Sequence, residues 1–126
     1  MSALLDSHAL IWWITGNARL SIAAKGIIET DDIFVSAATA YELAAKVRLG
    51  KLSEAEPLIR NFESLCAEQR FTLLPITVRH ALHAATFDHE HRDPFDRLIA
   101  AQSLLQELPV ISIDPALANF GCKVIW

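Results

Sequence analysis

Short apolar runs alternating with amphipathic helical stretches predict an α/β domain, a doubly wound parallel sheet with helices on both faces. Three observations carry that prediction. Ile33-Phe34-Val35 and Val110-Ile111-Ser112-Ile113 are rich in β-branched residues with little polar alternation, as strands covered on both sides are. Stretches of helical period separate the strands, and parallel neighbours need such crossovers. The 126 residues hold no internal repeat and no Pro/Gly/Ser-rich linker, so residues 1–126 read as one domain.

The elements follow in order. Ala3-Leu4-Leu5 is a short first strand, and residues 7–14 look helical. A second helix begins at Ser21 and runs to about Glu29, ahead of the Ile33–Val35 strand. From 37 to 49, Ala40, Leu43, Ala44 and Val47 make an i, i+3, i+4, i+7 stripe, and Gly50 stops the helix. Residues 54–69 keep the helical period through Leu58, Phe62 and Leu65 and predict one helix. A strand over 71–76, a helix over 78–87 and a helix opened by Pro94 and continuing to about 107 come next. Residues 110–113 and 123–126 supply the last two strands.

Composition narrows the function. Hydrophobic residues make up 52% and charged residues 21%, which excludes a disordered or fibrous chain. Eleven Lys and Arg against fifteen Asp and Glu leave a net charge of −4. Binding nucleic acid by bulk charge calls for a basic protein, so a phosphate partner here needs a local patch or a metal. Cys66 and Cys122 read as buried thiols in a reducing compartment. The apolar run 9–14 is too short to span a bilayer. A soluble, cytoplasmic protein with no membrane contact is expected.

In an open parallel sheet, ligands collect at the carboxyl ends of the strands. Asp6 and Asp114 each end a predicted strand, Glu42 lies nearly two turns into the helix after Ile33–Val35, and Asp93 and Asp96 bracket the start of the helix at Pro94. Gathered together, such carboxylates repel unless a proton or a cation joins them, and all-oxygen ligands suit Mg²⁺ or Mn²⁺. Each acid also has a structural reading. Asp93-Pro94 and Asp114-Pro115 look like N-caps followed by proline, Asp6 could cap the helix at Ser7, and Asp96 falls where the helix dipole favours a carboxylate. Glu42 and Lys46 make an i, i+4 pair, worth about 0.3–0.5 kcal/mol on a surface.

The histidines and tryptophans are less specific. His89 and His91 alternate with charged residues in 88–93, a pattern of a solvated loop more than of a zinc site. His80 and His83 read as polar-face residues of their helix, and His8 as a packing or surface residue close to Asp6. Trp12, Trp13 and Trp126 read as core or interface anchors rather than a platform for bases.

Three segments together resemble one family. Leu4-Leu5-Asp6-Ser7-His8-Ala9-Leu10-Ile11-Trp12-Trp13, the run from Val35 through Glu42 and Lys46 to Leu49-Gly50-Lys51-Leu52, and His91-Arg92-Asp93-Pro94-Phe95-Asp96-Arg97 with its helix are similar to PIN-domain ribonucleases of the VapC toxin type. Ser112-Ile113-Asp114 and the 121–126 ending complete the order, so the resemblance spans nearly the whole chain. Ser7 stands where Thr is common and Tyr41 where Trp is common, and both keep the hydroxyl or the aromatic bulk.

The resemblance implies a three-layer PIN-like fold with a central parallel sheet, and an acidic active site of Asp6, Glu42 and Asp96. Asp114 matches a fourth acidic position, and Asp93 is either a further metal ligand or a helix cap. It implies an Mg²⁺- or Mn²⁺-dependent endoribonuclease leaving 5′-phosphate and 3′-hydroxyl ends, a homodimer, and a small antitoxin in the active-site groove. Ser7 or Ser112 would orient water or the carboxylates, and some of Lys46, Arg48, Lys51, Arg92 and Arg97 would line the RNA path. The competing readings are a catalytically silent PIN-like binding module and a nuclease acting on other nucleic acids. A phosphoacceptor signalling domain is disfavoured, because the Ile33–Val35 strand ends in Ser36 with no Asp beside it.

Overall fold

A computed structural model describes residues 1–88 and 92–126. The element order is β1 (Ser2–Leu5), α1 (Ser7–Thr15), α2 (Ile22–Thr30), β2 (Asp32–Ser36), α3 (Ala37–Arg48), α4 (Glu56–Arg60), α5 (Phe62–Glu68), β3 (Thr72–Leu74), α6 (Val78–Thr86), α7 (Pro94–Gln106), β4 (Val110–Ile111) and β5 (Val124–Ile125). Short 3₁₀ turns, Ser53–Ala55 and Pro115–Phe120, precede α4 and β5. Among the described residues the five strands form one sheet in the order β3-β2-β1-β4-β5, and every pairing is parallel.

The alternation of side chains along each strand divides the core in two. Ala3, Leu5, Ile33, Val35 and Ile111 face one side, where α1, α2, α4 and α5 cover them through Leu10, Ile28, Leu58 and Cys66. Leu4 and Val110 face the other side, with Ile99 and Ala100 of α7 and Leu117 and Phe120 of the second 3₁₀ turn. That is the expected three-layer arrangement. No helix among the described residues is long and apolar enough to cross a membrane.

The helix signals act as local chemistry requires. Ser21, Ser36, Asp93 and Asp114 cap helices with their side chains, and Gly50 takes a left-handed φ of 74° just beyond α3. Both cysteines are buried, and burial pushes each thiol pKa up.

Several expectations need correction. The single helix over 54–69 is broken, because Asn61 leaves helical geometry at φ −126° and ψ 34° between α4 and α5. Leu58 and Phe62 pack against the same core from either side of the break, so the apolar period survives it. The strand over 71–76 shrinks to Thr72–Leu74, and the strand over 110–113 to Val110–Ile111. His80 is buried rather than on a polar face. Its Nδ1 accepts from the Thr77 N–H at 3.0 Å, closing a capping box, and its Nε2 lies 3.0 Å from the Gln106 amide. The His89 and His91 reading lies outside the described residues.

Candidate active site

The sheet register builds the site. Leu5 pairs with Val35 on one side and with Ile111 on the other, so Asp6, Ser36 and Ser112 come abreast one residue further, at the carboxyl edge. Asp6 caps α1, its Oδ1 accepting from the Ser7 N–H at 2.7 Å. Its Oδ2 accepts from Ser112 Oγ at 2.7 Å. Ser112 Oγ also accepts from the Asp114 N–H at 3.0 Å, and Asp114 Oδ1 caps the following turn through the Ala116 N–H at 2.8 Å.

Glu42 enters from α3. Its Oε1 accepts from Ser7 Oγ, a contact joining residues 35 apart in the chain, and its Oε2 accepts from Lys46 Nζ at 2.8 Å. Both Asp6 and Glu42 are buried. Burial is the chief influence on Asp6 and raises its pKa; the Glu42 charge adds to the rise, while the Ser112 and Ser7 hydrogen bonds and His8 oppose it. Lys46 shows the mirror image. Partial burial would lower its pKa, but the Glu42 hydrogen bond and charge, with the charges of Asp93 and Asp6, outweigh it and hold the ammonium above its usual range.

Asp93 reaches this field from the start of α7, where its Oδ1 accepts from the Phe95 N–H at 2.9 Å and the Asp96 N–H at 3.4 Å. Phe95 packs on Tyr41, the neighbour of Glu42, with ring centroids 5.5 Å apart, so the first turn of α7 lies beside α3. Asp96 stands half-buried in that turn. Asp93, Asp96 and Asp114 thus each fill the capping or first-turn place that local chemistry predicts.

Asp6, Glu42 and Asp96 were expected to converge on one point. Asp6 and Glu42 are joined through Ser7, yet among the described residues no three His, Cys, Asp or Glu side chains stand as a ready metal-binding group. The donor chemistry fits a hard divalent cation: the linked carboxylates are buried, they offer oxygen ligands, and Asp6 bears the cost of burial beside a second carboxylate.

The basic residues divide. Lys46 belongs to the acidic cluster itself. Arg97 donates to the backbone carbonyls of Ala84 at 3.2 Å and Phe87 at 2.6 Å and lies over the Phe87 ring, so it clamps α7 to the end of α6. Arg48, Lys51 and Arg92 are exposed. Trp12 sits between His8 and Trp126, with centroids at 5.5 and 5.7 Å, and packs against the first core, an anchor as expected. Ser7 and Ser112, expected to orient water or the carboxylates, both hold them: Ser112 donates to Asp6, and Ser7 serves both acids, its N–H Asp6 and its hydroxyl Glu42. The signal for Ser7 lay in its place directly after a strand-ending Asp.

A model of the PIN domain matches residues 3–121. The chain belongs to the PIN-domain family. It is 33% identical to Ribonuclease VapC22 of Mycobacterium tuberculosis over 105 residues, 82% of this chain and 79% of that one. In fold it is similar to VapBC2 from Rickettsia felis bound to a DNA fragment from their promoter (TM-score 0.69, 11% identity, 99% of this chain and 98% of that one). DNA-bound VapBC from Salmonella typhimurium is equally close in shape (TM-score 0.69, 17% identity, 99% and 97%). These neighbours share the fold, a central parallel sheet flanked by helices.

Proposed function

We propose that this PIN domain is a metal-dependent endoribonuclease, the toxin of a toxin–antitoxin pair, working in the cytoplasm. The observation that carries the reading is the pair of buried carboxylates, Asp6 and Glu42, linked through Ser7 at the carboxyl edge of the parallel sheet. The similarity to a VapC ribonuclease supports the reaction class.

In this reading Asp6, Glu42 and Asp96 would hold one or two Mg²⁺ or Mn²⁺ ions, with Asp114 a fourth acid acting through water or more weakly and Asp93 chiefly the cap of α7. When bound, the ion offsets phosphate charge and makes water a stronger nucleophile. The chain's own residues prepare the carboxylates. Ser112 and the Ser7 N–H hold both oxygens of Asp6, and Ser7 Oγ fixes one oxygen of Glu42, so the acids reach the substrate with their rotamers set. Hydrolysis adds the water's hydroxyl to phosphorus and leaves its proton on the departing 3′ oxygen, giving 5′-phosphate and 3′-hydroxyl ends. Of the basic residues the resemblance points to, Arg48, Lys51 and Arg92 are exposed and available to the RNA backbone.

An apolar groove of about 490 Å³ lies between α3, the α4–α5 pair and β3, lined by Ala40, Ala44, Ile59, Phe62 and Leu73. It offers an apolar surface to an amphipathic segment of a small antitoxin, on the face of α3 turned away from Glu42. Exposed Leu73, Ile76, Val78 and Leu82 at the β3 edge and on α6 suit a homodimer. The test is cleavage of a mixed RNA pool with Mn²⁺ and with a chelator. Metal-dependent cuts with 5′-phosphate ends support the reading, cuts in DNA alone favour a nuclease of other substrate, and no cutting of either favours a silent binding module.

A further inference from the structure

The acidic cluster carries its own cation. Lys46 lies one turn beyond Glu42 on α3, and its Nζ is 2.8 Å from Glu42 Oε2. The other oxygen, Oε1, is taken by the Ser7 hydroxyl, so both Glu42 oxygens are engaged. The two partners differ in exposure: 39% of the Lys46 side chain is open to solvent against 9% of Glu42. The ammonium therefore reaches down from a partly solvated stem onto a carboxylate that is nearly enclosed. Asp6, joined to Glu42 through Ser7, and Asp93, at the head of α7, lie within its electrostatic reach.

That arrangement conflicts with a divalent ion at the same carboxylate. An ion that takes Glu42 as a ligand must sit about 2–2.6 Å from one of its oxygens. At that range of Oε2 it would stand within about 4–5 Å of the ammonium, and two cations so close in a partly buried place repel. Reaching Oε1 requires the Ser7 proton to turn away, and the ammonium still stands on the other oxygen of the same group.

We propose that Lys46 is a resident counter-cation of the site, and that a divalent ion loads onto Glu42 only by displacing it. Lys46 keeps the metal-free cluster from burying an unpaired carboxylate, and it raises the metal concentration needed to fill the site. On displacement its four-carbon stem carries the ammonium into solvent, toward an incoming phosphate. This inference rests on the metal-dependent reading above.

The test is calorimetric titration of Mn²⁺ into metal-free protein, with wild type, Lys46→Met and Lys46→Arg compared, and folding checked by circular dichroism and thermal melting in chelator. Lys46→Met keeps the stem and removes the charge. It should bind Mn²⁺ tighter by about three- to tenfold, melt lower than wild type in chelator, and regain the difference when Mn²⁺ is added. Lys46→Arg should bind as wild type does. Should Lys46→Met lose its fold, Lys46→Gln repeats the measurement. Binding by Lys46→Met where wild type shows none also supports the proposal. Equal or weaker binding by a folded charge-removed variant overturns it and leaves the nuclease reading standing. No Mn²⁺ binding by any of the proteins overturns both.

Discussion

Ser112 Oγ donates to Asp6 Oδ2 at 2.7 Å and accepts from the Asp114 N–H at 3.0 Å, so one hydroxyl ties the end of β4 to the end of β1. The bond is buried and spans 106 residues of sequence. It serves the fold and the site together, since Asp6 also caps α1. Replacing Ser112 by Ala removes a donor from a buried carboxylate and an acceptor from a turn. The variant should lose about 1–3 kcal/mol of stability, read as a lower urea midpoint at unchanged slope.

The raised pKa of Asp6 makes stability depend on pH in a defined direction. Burial favours the protonated carboxyl, so between the unfolded and folded pKa values the folded protein binds more protons than the unfolded chain. The associated stability is fully present below the ordinary aspartate value and is lost as pH rises through the folded one. In chelator, Asp6→Asn should therefore gain on wild type as pH climbs through that window. Melting curves at a series of pH values check this; a variant that loses ground to wild type as pH rises points to capping as the dominant role of Asp6.

Arg97 should matter to the fold more than to substrate. Its guanidinium donates to two backbone carbonyls near the end of α6 and lies over Phe87. Arg97→Met should cost about 1–3 kcal/mol and leave cleavage per folded molecule close to wild type. Denaturation by urea, paired with activity normalised to folded protein, separates the two effects.

Glu107 closes α7 in the left-handed region at φ 54° and ψ 45°, a place that favours glycine. Glu107→Gly should raise stability by about 1 kcal/mol, because the cap geometry remains and the strain of the β-carbon goes. A higher urea midpoint with unaltered RNA cleavage is the expected outcome.

Much of this was written plainly in the chain. Aspartate before proline announced the caps at Asp93 and Asp114, and the apolar runs announced β1, β2 and β4, because those signals are local. The break at Asn61 was hidden, since the apolar residues on either side keep helical spacing while the backbone departs from it. His80 was misread for a related reason: a polar residue at a helix start gives no sign that Thr77 and Gln106 will satisfy both ring nitrogens inside the core. Within the site, the Glu42–Lys46 spacing was legible as a pair. Its burial at one end was not, because that depends on α1 arriving with Ser7 from 35 residues away.

The central claim is that Asp6, Glu42 and Asp96 act as one metal-dependent site for cutting RNA. Cleavage of a mixed RNA pool in Mn²⁺, with wild type beside folded Asp96→Asn, tests it most directly. The account predicts that the variant keeps its circular dichroism spectrum and cuts no faster than wild type in chelator. Full activity in Asp96→Asn would contradict it.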